Sequence, residues 1–134
     1  SLFHVVNDIE RIGDHAENVA DASIMMRDDE VVFSKDGEQD LIHMMGMVQK
    51  IVNYSVEMFS KNDRQHLQEI LVLEDQIDQE ERILQQKHVE RLTQNECTPE
   101  AGMIFSDIIS GLERVADHAT NIAFSILDED PELE

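Results

Sequence analysis

Two twelve-residue segments of this 134-residue chain are nearly the same text. Ile9-Glu10-Arg11-Ile12-Gly13-Asp14-His15-Ala16-Glu17-Asn18-Val19-Ala20 recurs as Leu112-Glu113-Arg114-Val115-Ala116-Asp117-His118-Ala119-Thr120-Asn121-Ile122-Ala123, at a constant offset of 103 residues. Seven of the twelve positions are identical, where unrelated segments of ordinary composition share about one. The identities are Glu, Arg, Asp, His, Asn and two alanines, so polar chemistry is kept along with apolar spacing. Internal repetition reveals the unit from which a fold is built. Here it also marks the side chains that most need explaining.

The repeats lie on helices. Leu2, Val5, Ile9, Ile12, Ala16 and Val19 alternate in steps of three and four, the seam of an amphipathic helix running over about 1–27. The segment 28–37, opening on Asp28-Asp29-Glu30 and closing on Ser34 to Gly37, reads as a loop. A second helix is expected over 38–60, with Leu41, Met44, Met45, Val48, Ile51, Val52, Val56 and Phe59 on its seam. Lys61-Asn62 makes a tight stop, and Asp63 can cap a third helix over 63–94. That helix turns Leu67, Ile70, Leu71, Leu73, Ile77, Ile83, Leu84 and Leu92 inward. Thr98-Pro99-Glu100 restarts the chain as a fourth helix over 98–127: a capping hydroxyl, a proline in the first turn and an acid suited to the helix dipole. Only Val31-Val32-Phe33 resembles a strand, and it is too short to found a sheet. Short connections make the expected fold all-α, an antiparallel up-down bundle of four long helices in one domain, 1–134. The seven methionines are read as core filling.

Composition removes several function classes. Thirty acidic against ten basic residues give a formal charge of -20, which argues against a nucleic-acid partner and against adhesion to an anionic membrane face. No apolar run is long enough to cross a bilayer, so direct membrane insertion of these residues is not expected. Cys97 is the single cysteine, which rules out an internal disulfide and suits a reducing compartment. The helical periodicity begins at Leu2 with no cap before it, as in a piece of a longer polypeptide.

On the first helix Glu10, Asp14, Asn18 and Asp21 fall opposite the apolar seam, and Glu113, Asp117 and Asn121 take the matching face of the fourth. Each Glu-xxx-Asp pair sets two carboxylates about 6 Å apart, where like charges repel and mildly destabilise a helix. A cation between them reverses that sign. Hard ions such as iron, manganese, magnesium or calcium suit oxygen ligands, and zinc becomes an option where imidazole joins. The bland alternative is a solvated acidic face, which requires polarity but not the same residue types twice. His15 and His118 lie between seam and acidic face, placed for a hydrogen bond at the core edge. Arg11 and Arg114 read as ion-pair partners that orient Asp14 and Asp117, three residues on. Gly13 and Ala116 are small at matching positions, for close helix approach or for want of constraint. A further spacing, Glu74-xxx-Asp78, lacks the Arg, His and Asn companions and reads as solvated.

These residues resemble the PhoU family of phosphate-uptake regulators, built from two three-helix repeats with an E(D)xxxD motif on the last helix of each. Glu10 to Asp14 and Glu113 to Asp117 match that motif, and 103 residues is about one repeat. The resemblance implies one whole repeat preceded by the last helix of another, so the first helix packs as a fourth bundle member or exchanges with a second chain, giving a homodimer. It implies metal ions, iron or zinc, held by Glu10, Asp14, Glu113 and Asp117, with Arg11, His15, Asn18, Arg114, His118 and Asn121 around them. The wording Phe3-His4-Val5-Val6-Asn7-Asp8-Ile9-Glu10-Arg11-Ile12-Gly13-Asp14-His15 is similar to the cytoplasmic PhoU-like tail of bacterial sodium/phosphate cotransporters. That implies a regulatory, non-enzymatic domain at the inner face of the cell membrane, partnered by a transporter membrane domain or a phosphate-signalling protein.

Two other classes compete. A ferritin-type di-metal enzyme needs Glu-xx-His pairs projecting into the core, and the nearest spacings here are Asp40 to His43 and Asp63 to His66, neither with Glu. A plain helical oligomerisation module needs no site at all.

Overall fold

A computed structural model of the chain describes residues 2–28 and 33–127. It contains four long helices, α1 (Leu2–Asp28), α2 (Lys35–Lys61), α3 (Leu67–Thr93) and α4 (Pro99–Phe124), with no strand among the described residues. Val31 and Val32 of the strand-like triplet, and residues 29–32 of the expected loop, lie outside them.

The helix ends follow from local chemistry. α2 starts at Lys35, three residues ahead of the expected Glu38, because extended Ser34 accepts the Gly37 N–H at 3.1 Å and so caps it. It stops where Asn62 enters the left-handed region (φ 50°) and donates its N–H to the last carbonyls. α3 starts at Leu67 and not at Asp63. The Asp63 carboxylate accepts the Gln65 N–H at 3.1 Å, which closes a turn and leaves α3 without a side-chain cap. Thr98 caps α4 as its sequence requires, accepting the Ala101 N–H at 3.1 Å with Pro99 beside it. The last turn, Ser125–Leu127, tightens to a 3-10 helix.

α4 is the centre of the molecule. α1, α2 and α3 each pack on it, and α2 also packs on α3; α1 has no comparable interface with α2 or α3. Its sequence suits that place, since Ile104, Phe105, Ile108, Ile109, Leu112, Val115, Ala116, Ala119, Ile122 and Ala123 are all buried. Three neighbours need apolar residues over about half of the helix circumference, and small residues let their axes come close. At Gly102 a Cβ would run into the His88 ring of α3. Gln85 of α3 is clasped to Ser106 of α4: Ser106 donates to its amide oxygen at 2.8 Å, and its amide nitrogen donates to the Ser106 carbonyl at 3.3 Å. These contacts fix α3 antiparallel to α4 in one register.

The expected seams are wider than the contacts. On α1, Val5 is buried and Ile12 and Val19 pack on the core, while Leu2, Ile9 and Ala16 are exposed. Leu71 and Ile83 of α3 and Met45, Val56 and Phe59 of α2 are likewise exposed rather than inward. α1, with one neighbour, buries one row of side chains, and α2 and α3, packed on α4 and on each other, leave their outer flanks to solvent. Replacing fully buried Ile109 by alanine is expected to cost about 2–5 kcal/mol in chemical unfolding, whereas Ile42→Ala, on the exposed side of α2, should stay within about 0.5 kcal/mol.

Candidate metal centre

The antiparallel register of α3 and α4 decides which acids meet. One turn of α4 places Glu113 and Asp117 on the flank that α3 covers, and α3 presents Asp78 to the same place. Ligand oxygens of Asp78, Glu113 and Asp117 all lie within 4.8 Å of one another. Glu74 and Glu81, on either side of Asp78 along α3, feel the same field, and both carboxyls are pushed up. Burial is the main cause for each, with repulsion from Asp117 and Asp78 added. Arg114 and Arg82 offset part of this at Glu81.

Glu113 carries the largest perturbation. Burial against α3, then the hydrogen bond and the charge of Asp117, then Glu81 and Asp78, push its carboxyl up from 4.5 to about 8. At neutral pH the lowest-energy state of this knot of acids therefore holds a proton that a free glutamate would have lost. A divalent cation bound there would replace that proton and satisfy several oxygens together. Among the described residues no lysine or arginine ion-pairs with Asp78, Glu113 or Asp117.

The sequence-derived ligands divide between two helices. Glu113 and Asp117 are brought together, with Asp78 as an added member; Asp78 and Glu113 are partly buried, and the pair is met by α3 instead of facing away from the bundle as expected. Glu10 and Asp14 stay exposed on α1, and among the described residues no acid of another helix joins them. Asp78 is half of Glu74-xxx-Asp78 in the sequence, and the lack of Arg, His and Asn companions makes it read as solvated. What identifies it is the register, not the motif.

His118 Nδ1 shares a hydrogen bond with Asp8 Oδ1 of α1 at 2.9 Å, a link across the core edge of the expected kind. His15 stacks on the His118 ring, centroids 5.6 Å apart and planes 16° from parallel. Its pKa is lowered by burial and by His118 and Arg114. Asn18, Asn121, Arg11 and Arg114 are exposed, and the expected ion pairs from Arg11 and Arg114 to Asp14 and Asp117 do not form. The ferritin-type spacings do not converge either: His43 is exposed, Asp40 faces Lys87 at 3.5 Å, and His66 bonds Glu57 at 3.1 Å.

The raised Glu113 carboxyl fixes a direction for pH. Between 4.5 and about 8 the folded chain holds a proton on Glu113 that the unfolded chain has released, so stability falls as pH rises through that window. In chelator, the thermal midpoint of Glu113→Gln should depend less on pH than that of the parent chain and exceed it at pH near 8. Parallel melting curves at two pH values check this.

Residues 41–126, which hold α2 from Leu41 onward, α3, α4 and the whole acidic knot, match the PhoU domain. Over 127 residues, 95% of this chain and 54% of the relative, the chain is 28% identical to the phosphate-specific transport system accessory protein PhoU homolog 1 of Thermotoga maritima. It thus spans about half the length of that relative. No solved structure matches it. No helix of the described residues is long and apolar enough to cross a membrane. The match covers well over half of the chain and every acid of the candidate centre, and the chain belongs to the PhoU family.

Proposed function

We propose that this chain is part of a metal-dependent regulator of phosphate uptake, acting through helical contacts with a transporter or a phosphate-signalling protein and not through catalysis. Family membership and the name of the Thermotoga relative support the phosphate context. The observation that carries the metal reading is the convergence of Asp78, Glu113 and Asp117 from two helices, with no lysine or arginine ion-paired to them among the described residues.

In this reading Asp78, Glu113 and Asp117 hold the ion. The knot is all oxygen, which favours a hard cation such as iron or manganese over zinc, because the nearest imidazole, His118, is turned to Asp8. A bound cation supplies positive charge to a strongly acidic surface and ties α3 to α4. The protein's own part is to hold the carboxylates close, keep them partly desolvated and release the Glu113 proton on loading. Glu10 and Asp14 are the second pair of candidate ligands, one turn apart on an uncovered helix, and they need acids from elsewhere to complete a site. The wording of residues 3–15 favours a cytoplasmic domain of a sodium-dependent phosphate transporter, at the inner face of the membrane.

Elemental analysis of purified protein tests the ligand set. Asp78→Ala and Asp117→Ala should each lower the metal content at least ~10-fold, whereas Glu10→Ala in the same chain should leave most of it. Unchanged iron, manganese and zinc in both α3/α4 variants would remove these residues from the role.

A further inference from the structure

The first turns of α2 lie against the last turns of α3, and between them is a polar cavity of about 390 Å³. Ser34, Gln39 and Asp40 line it from the α2 end, and Lys87, Arg91 and Gln94 from the α3 end. A volume of that order takes a small organic molecule. The cavity stands apart from the candidate metal centre, because Arg91 lies thirteen residues past Asp78, about 20 Å along α3.

Two charged atoms of this lining are buried without a hydrogen-bond partner, Arg91 Nη2 and Asp40 Oδ2. Such atoms are few in a folded chain, and each requires an explanation. Arg91 is held where it is by its surroundings. Its guanidinium lies over the Phe105 ring, 4.9 Å from the centroid, and beside Gly37 in the first turn of α2, where a Cβ would stand 3.7 Å from Nη2. The Arg91 carbonyl accepts the Glu96 N–H at 2.8 Å, which turns the α3–α4 connection back toward the cavity. Among the described residues no carboxylate ion-pairs with Arg91, in a chain that carries thirty acids. Asp40 has Lys87 Nζ at 3.5 Å, which offsets its charge without supplying a hydrogen bond.

Asp36, Glu90 and Glu96 complete the lining, so four acids face two cations. A simple anion would satisfy Arg91 and be repelled by that surplus, whereas a simple cation would leave Arg91 unpaired. One molecule carrying both signs meets both demands. We propose that this cavity binds a basic amino acid, with its carboxylate on Arg91, its α-ammonium on Asp40 and its side-chain cation toward Glu90 and Glu96. Both backbone contacts of such a ligand are charge-assisted hydrogen bonds, and the guanidinium–carboxylate pair can be two-pronged. Its net positive charge suits the acid surplus of the lining and of the whole chain. Inorganic phosphate is the poorer occupant, since it adds negative charge among four carboxylates and is small for the space.

Isothermal titration calorimetry in chelator tests the assignment with three probes. These are L-lysine, cadaverine (which lacks the carboxylate) and ε-aminocaproate (which lacks the α-ammonium). L-Lysine should bind at least ~10-fold more tightly than either of the others. Arg91→Met, which still covers Phe105, and Asp40→Asn should each weaken L-lysine at least ~10-fold, with helix content unchanged by circular dichroism. Equal affinity for the three probes would overturn the proposal, as would L-lysine binding that survives both substitutions. Saturable binding of inorganic phosphate with none of L-lysine would overturn it too, and would assign the cavity to anions. The chelator keeps metal out of every readout, so the result stands apart from the fate of the proposed centre.

Discussion

Everything in this bundle is hung on α4, and α4 can serve because it is apolar over about half of its circumference and small where neighbours come closest. Ala116, Ala119 and Ala123 admit close axes, and Ile104, Ile108, Ile109 and Leu112 fill the spaces between them. Burying one such side chain contributes about 1.5–3 kcal/mol, so this single helix anchors much of the core. The other three helices gain their order by resting on it. α1 shows the converse, because one neighbour leaves most of its surface in water.

The same packing generates the electrostatics. Two acids one turn apart on an open helix are hydrated and repel only weakly. Glu10 and Asp14 are in that situation, exposed on α1. Glu113 and Asp117 have the same spacing, but α3 lies across them, removes part of their water and adds Asp78. The same Glu-xxx-Asp spacing thus gives a solvated pair on one helix and a crowded knot on the other. Desolvation, the leading cause at Glu113, makes the difference.

Much of this was legible from the chain alone, and the remainder has a definable cause. Four helices and their up-down order follow from apolar periodicity, and the Thr98-Pro99 start and the Asn62 stop follow from local chemistry. The start of α3 did not, because Asp63 serves a turn and not a helix cap, and either use fits the same residue. Glu113 and Asp117 stood out through repetition. Asp78 could not be singled out in the same way, since its place depends on how far α3 is slid along α4. A periodicity of 3.6 says which face a residue takes, not what lies opposite it. For the same reason Leu71 and Ile83 satisfied a seam that no partner covers.

That sliding coordinate is pinned near one end of the shared interface. The Gln85 amide grips Ser106 at both of its atoms, and the missing side chain of Gly102 lets the His88 ring lock in beyond it. Two turns farther along, Asp78 meets Glu113 and Asp117 in the register that these neutral contacts share. The register that brings the three carboxylates together is thus held by contacts that carry no charge. Under the proposed metal-binding role, any preference for ionic radius would depend on an amide, a hydroxyl and a glycine remote from the carboxylates.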